Sequence, residues 1–168
     1  MSGRRRMRGR SRGMTALEAA VAFAVIFGVL AAAVPACIRA LRLSRTAEAA
    51  ENLNVILVST ARLRADSPQT ALASTPLTPS TVPRGDTALD PAGTWDHPTW
   101  KAIGFSLSEP HWYSYRIEMD RDVRTPVHVM AFGDLDGDGV LSTFERSAIR
   151  EGTAIVPQPA LIVTAELE

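Results

Sequence analysis

The apolar residues of this chain fall into three patterns, and each predicts a different element. From Ala19 to Ile38, twenty consecutive residues carry no charge; as an α-helix such a run spans about 30 Å, the hydrocarbon thickness of a bilayer. Beyond it, Leu41, Ala49, Leu53, Ile56, Leu57, Thr60 and Leu63 recur at steps that keep them near one face of a helix, while Glu48, Glu51, Arg62 and Arg64 fall largely elsewhere. The spacing holds no steady heptad, which argues against a coiled-coil stalk. One helix from about Met14 to Ala65 follows, half in lipid and half laid against a folded domain. It ends where Asp66, Ser67 and Pro68 resist helix. The third pattern is alternation. In residues 111–119, Tyr113, Tyr115, Ile117 and Met119 share one face while Ser114, Arg116 and Glu118 share the other, as in a half-buried strand. Residues 126–132 and 160–167 read as further strands, with a fourth around 144–150.

Between helix and strands the composition turns to Pro, Thr, Ser, Gly and Asp, with prolines at 68, 76, 79, 83, 91 and 98. Regular structure is not expected there. Trp95 and Trp100 imply that the end of the stretch packs down on something. The expected fold class is therefore α+β: a long N-terminal helix packed on a small antiparallel sheet. Its parts are a basic segment 1–13, a membrane helix 14–39, an amphipathic half 40–66, an irregular Pro-rich loop 67–110 and a sheet region 111–168.

Charge sharpens this plan. The formal net charge of zero hides Arg4, Arg5, Arg6, Arg8, Arg10 and Arg12, six cations with no acid among the first thirteen residues. Removing them from the 18 basic residues leaves 12 against 18 acidic ones, so the rest of the chain is acidic and no nucleic-acid partner is expected. The positive-inside rule places the N-terminus in the cytoplasm, although Arg39, Arg42 and Arg45 weaken the bias from the far side. The single cysteine, Cys37, has no partner for an internal disulfide, and His97, His111 and His128 lack the spacing of a zinc pair.

Glu18 opens the apolar run, where a carboxylate is costly if carried toward the membrane centre. Thr15 and Glu18 fit a capping box, with the carboxylate helped by the positive helix terminus. A secretory signal peptide is the competing explanation for the run, and small residues at 31–36 would suit its cleavage site. An acidic residue at Glu18 sits where such a peptide should be apolar.

A basic leader ending in Gly13, followed by Met14, Thr15, Ala16, Leu17, Glu18 and an apolar helix, resembles the processing site of type IV prepilins. The resemblance implies cleavage after Gly13 by a prepilin peptidase and methylation of the new amine on Met14. It gives Glu18 the role of neutralising the N-terminal amine of a neighbouring subunit during assembly, and pairing would remove the desolvation penalty on both charges. Methionine after the glycine departs from the usual phenylalanine; Pro35 matches a proline common in pilin helices, where it kinks or locally melts the helix. The implied partners are the peptidase, other pilin subunits, an inner-membrane assembly platform and membrane lipid. The implied location is the inner membrane as a single pass before assembly, then an extracellular filament or periplasmic pseudopilus. The loop 67–110 would correspond to the outward-facing variable loop of pilins.

Residues 134–145 match an EF-hand calcium loop: oxygen ligands from Asp134, Asp136, Asp138, the Val140 carbonyl, Ser142 directly or through water, and Glu145, with Gly139 making the sharp turn. Four carboxylates in twelve residues repel one another, so a bound Ca²⁺ would steady the loop. An ordinary Asp-Gly turn between strands is the plainer explanation, but it needs fewer of these residues. The approach, residues 127–132, reads as strand, so a lone loop here would staple a small domain and not act as a sensor. It would stand in place of the C-terminal disulfide of many pilins.

Three functions follow. A filament subunit, either of a type IV pilus or a type II secretion pseudopilin, uses every feature above. A single-pass, membrane-anchored calcium-binding module leaves Glu18 and the Gly13–Met14 junction without a purpose. An enzyme is not expected, because no nucleophile, base and orienter present themselves and the aspartates serve better as metal ligands.

Overall fold

The computed structural model describes residues 14–120, 126–152 and 154–165. Two helices and four strands follow in order: α1 (Ala16–Asp66), α2 (Pro98–Ile103), β1 (Tyr113–Met119), β2 (Val127–Gly133), β3 (Ser142–Glu151) and β4 (Ala154–Thr164). The fold is α+β, with a long N-terminal helix and a four-stranded antiparallel sheet, as the apolar pattern predicts. The chain divides into two compact units at Arg39/Ala40.

In the first unit, α1 is apolar on all sides and no described residue is buried. Phe23, Val25, Ile26, Phe27, Val29 and Leu30 are all exposed. This stretch is long and apolar enough to cross a membrane. The helix runs through Pro35 without a break. Local melting is therefore not seen there; the proline removes one N–H, and the turns on either side keep their own bonds.

In the second unit, α1 buries Thr46, Ala49, Leu53, Ile56, Leu57 and Thr60, a stripe at steps of three and four. Leu41, expected on that stripe, is 54% exposed. The helix stops as Ser67 N–H reaches the Leu63 carbonyl at 2.8 Å, just before Pro68.

The sheet is a meander in the order β1-β2-β3-β4, each pair antiparallel. Its inner face presents Tyr113, Tyr115, Ile117, Val127, Val129, Ala131, Phe144 and Ala148 to the helix stripe. Asn52 of α1 donates to the Tyr115 hydroxyl at 2.8 Å. Tyr113 stands opposite Gly133; a Cβ on Gly133 would lie 2.5 Å from the tyrosine ring, so only glycine fits beneath it. β3 and β4 are longer than expected. β4 contains Pro157 and Pro159, with a register shift between Arg146 and Ala148 on its partner. Prolines are tolerated here because β4 is an edge strand.

The stretch 67–110 is irregular apart from α2, whose N-cap His97 accepts the Thr99 N–H through Nδ1 at 3.3 Å and whose C-cap Gly104 is left-handed at φ 68°. It is nonetheless well packed. Thr78 and Tyr115 exchange backbone bonds of 2.9 and 2.7 Å, Thr75 N–H reaches the Ile117 carbonyl at 2.9 Å, and Ala88 and His111 exchange two of 3.0 Å. These contacts close the outer edge of β1. Trp95, Trp100, Phe105 and Tyr115 then stack edge-on or tilted, with centroids 5.3 to 6.4 Å apart, as the two tryptophans led us to expect.

Candidate functional site

Two groups of residues carry candidate chemistry. At the N-terminus, Gly13 lies outside the described residues, and Met14 is 67% exposed. Thr15 and Glu18 form a reciprocal capping box. The Thr15 N–H and hydroxyl donate to Glu18 Oε2 at 2.8 and 3.0 Å, and the Glu18 N–H donates to Thr15 Oγ1 at 3.2 Å. Within one chain the carboxylate thus caps its own helix. It remains exposed, so the cap does not bury the charge.

The second group is the turn between β2 and β3. Asp134 is buried; its Oδ1 accepts the Gly137 N–H at 2.8 Å and its Oδ2 the Gly139 N–H at 3.1 Å. Asp136 Oδ1 accepts the Asp138 N–H at 3.3 Å, and Asp138 Oδ1 the Val140 N–H at 2.7 Å. Gly137 and Gly139 take positive φ values of 82° and 96°, which lets the backbone turn tightly enough for these bonds. Carboxylate oxygens of Asp134, Asp136 and Asp138 lie within 4.8 Å of one another.

The other expected ligands are placed differently. Ser142 is fully buried at the start of β3, opposite Gly133, and its hydroxyl donates to the Gly133 carbonyl at 3.0 Å. Glu145 sits opposite Met130, and its Oε1 meets His128 Nδ1 at 2.6 Å. The EF-hand spacing assumes a helix leaving the loop, which would fold the twelfth residue back over the ion. Here a strand leaves, and at about 3.3 Å per residue it carries Glu145 roughly 10 Å along the sheet from Ser142. No family model, curated protein or solved structure matches the chain.

Three arginines surround the turn. Arg42 Nη1 of α1 lies 3.2 Å from Asp136 Oδ2, and Arg84 Nε 3.7 Å from Asp134 Oδ2. Arg45 Nη1 donates to the Leu135 carbonyl at 3.4 Å, and its guanidinium lies 3.8 Å over the Trp112 ring. Part of the repulsion among the aspartates is thereby offset within the chain.

A buried polar network joins α1, the irregular stretch and β1. His111 Nε2 meets Asp90 Oδ2 at 3.0 Å, Trp95 Nε1 donates to the same oxygen at 2.8 Å, and His111 Nδ1 lies 2.8 Å from the Tyr113 carbonyl. Glu48 accepts the Trp112 N–H at 3.1 and 3.2 Å and the Tyr115 hydroxyl at 3.3 Å. Burial raises the Glu48 carboxyl above the ordinary carboxylate range, against the Trp112 N–H and the neighbouring His111, which lower it. Burial and then the Glu48 charge push the Tyr115 hydroxyl well above its usual value. The network braces the fold, and nothing in the local sequence pattern announced it.

Proposed function

We propose that the chain is a structural subunit of a type IV pilus or a related filament, inserted in the inner membrane by α1 and trimmed after Gly13 by a prepilin peptidase. The observation that carries this reading is α1 itself. A stretch of unburied apolar helix, opened by Thr15 and Glu18, continues without a break into the helix that anchors an α+β core. An assembling subunit uses both parts: the first meets lipid and then the helices of other subunits, and the second holds the folded unit that the filament displays. The capping bonds of Glu18 are compatible with the assembly role, because an exposed carboxylate can exchange a cap for a neighbour's amine as lipid is left behind. A type II secretion pseudopilin would use the same features.

The test is mass spectrometry of the chain recovered from cells with an active prepilin peptidase. A terminus at Met14 with a methylated amine is the expected result. An intact leader would defeat the reading in favour of a plain anchor, and cleavage near Ala36 in favour of a secretory signal.

A second reading, compatible with the first, gives the β2–β3 turn a structural Ca²⁺, on the strength of the gathered carboxylates. Asp134, Asp136 and Asp138 supply the hard oxygen donors such an ion requires. They fall short of the usual six to eight ligands, so the Val140 carbonyl and water would complete the set. Ser142 Oγ keeps lone pairs for an ion while it donates to the Gly133 carbonyl, whereas Glu145 would join only by turning from His128.

A further inference from the structure

We propose that the tip of the β2–β3 hairpin, residues 134–141, seats on the phospholipid headgroups of the membrane that α1 enters. The proposal rests on reading residues 19–38 as a span. Chain connectivity carries the argument. Ile38 is the last residue of the uncharged run, and Arg42 follows it by four positions. Four residues rise about 6 Å as helix and cover no more than about 14 Å in any conformation. Arg42 therefore lies in or just beyond the headgroup layer, which adds roughly 5 to 7 Å to each side of the hydrocarbon. The 3.2 Å ion pair between Arg42 and Asp136 ties the hairpin tip to within an arginine side chain's reach of that level.

The neighbouring contacts suit the interface. Arg45 holds the Leu135 carbonyl of the tip and stacks on half-buried Trp112, a pairing of the residue types that place an apolar body and a polar end at a membrane surface. From Asp136 the tip runs through Asp138, whose carboxylate lies within 4.8 Å of it, to the Val140 N–H, 2.7 Å from that carboxylate. Val140 is 50% and Leu141 38% exposed, an apolar pair at the end of an otherwise polar turn. Arg39, also exposed, supplies a cation for lipid phosphates at the same depth. Asp134 and Asp136 are opposed by Arg84 and Arg42, which lessens the repulsion between the tip and lipid phosphates.

The experiment uses the full chain carrying Cys37→Ala and one new cysteine, either Val140→Cys or Glu151→Cys, labelled with a polarity-sensitive fluorophore. Glu151 is exposed and ends β3 at the opposite end of the strand from the turn. The chain is reconstituted in phosphatidylcholine–phosphatidylglycerol vesicles containing lipid with a spin label on its headgroup. Quenching several-fold stronger at 140 than at 151 is expected, independent of the protein-to-lipid ratio. Equal quenching at the two sites, in chains that float with the vesicles, overturns the proposal and leaves the span intact. Shielding of site 140 that grows with protein-to-lipid ratio overturns it in favour of a second copy of the chain. Failure of the chain to float overturns the span reading itself, and the proposal with it.

Discussion

The two halves of α1 share one backbone geometry and answer opposite demands. Between residues 19 and 38 apolar side chains stand on every side and none is buried, whereas between 40 and 66 a single stripe is buried and the remaining positions carry charge, small residues and a few exposed valines and leucines. A helix needs an apolar surface only where something covers it. For the second half the cover is the chain's own sheet. The first half is long and apolar enough to cross a membrane, and a bilayer would cover such a helix on every side.

The sharpest way to break that comparison is truncation in each half. Leu53→Ala, in the fully buried stripe, should lower unfolding stability by about 2–5 kcal/mol. Val25→Ala, at a site 60% exposed, should leave the melting of the folded unit, followed by tryptophan fluorescence, unchanged. Similar losses at the two sites would mean that the first half packs on the fold after all.

Calcium offers the next largest effect, because its turn is tied to the second half through Arg42. With Ca²⁺ at a hundred times its dissociation constant, stability should rise by about 2.7 kcal/mol, a shift of several degrees in melting point for a domain of this size. Asp134→Ala should abolish the shift, whereas Asp120→Ala, outside the turn, should preserve it. Glu145→Ala separates two geometries: it removes part of the shift if the glutamate joins the ion, and none if it stays with His128. Melting that ignores both calcium and chelator would leave the turn an acidic hairpin braced by arginines.

Glu18→Gln sharpens the first half. It should cost the helix start about 1 kcal/mol or less, since an amide still accepts from Thr15, and should leave melting of the folded unit untouched. Incorporation into filaments, measured in cells lacking the wild-type copy, should nonetheless fall sharply. Normal incorporation would reduce Glu18 to a cap.

The smallest effect belongs to Glu48. Burial raises its folded carboxyl above the ordinary carboxylate value, so the folded chain holds that proton more tightly than the unfolded one. Its contribution to stability is therefore full below the unfolded value, declines as pH rises from there through the folded value, and stays lost above it. Glu48→Gln should flatten this decline in a pH series of melting points. An unchanged slope would assign the pH dependence to other groups.

Where local chemistry decided an element, the sequence was legible. The strands read at 111–119 and 126–132 lie within two residues of β1 and β2 at each end, and in the first of them the half-buried face leaves its period in the side chains. The first half of β4 was not legible, since Pro157 and Pro159 speak against a strand unless one knows that it lies at an edge. Leu41 was misplaced because helical period alone does not say where the cover begins. The aspartates of the turn are neighbours, as their spacing implies, but the twelve-residue match does not show that β3 begins at Ser142 and carries Glu145 along the sheet to His128. Arg42, Arg45 and Arg84 stayed invisible as a group, because contacts across some ninety residues, such as Arg45 to Leu135, leave no trace in spacing.

The edge of β4 has a consequence for crowding. Among the described residues no strand covers its outer side, and in a filament such an edge would face copies of itself at very high local concentration. A continuous row of amide donors there would let sheets of adjacent subunits zip together in whatever register they met. Pro157 and Pro159 interrupt that row by deleting two donors, and the register shift beside them spoils its straightness. In a filament of the kind proposed, neighbours would thereby be denied a sheet-to-sheet bond, and order between subunits would be left to the helices.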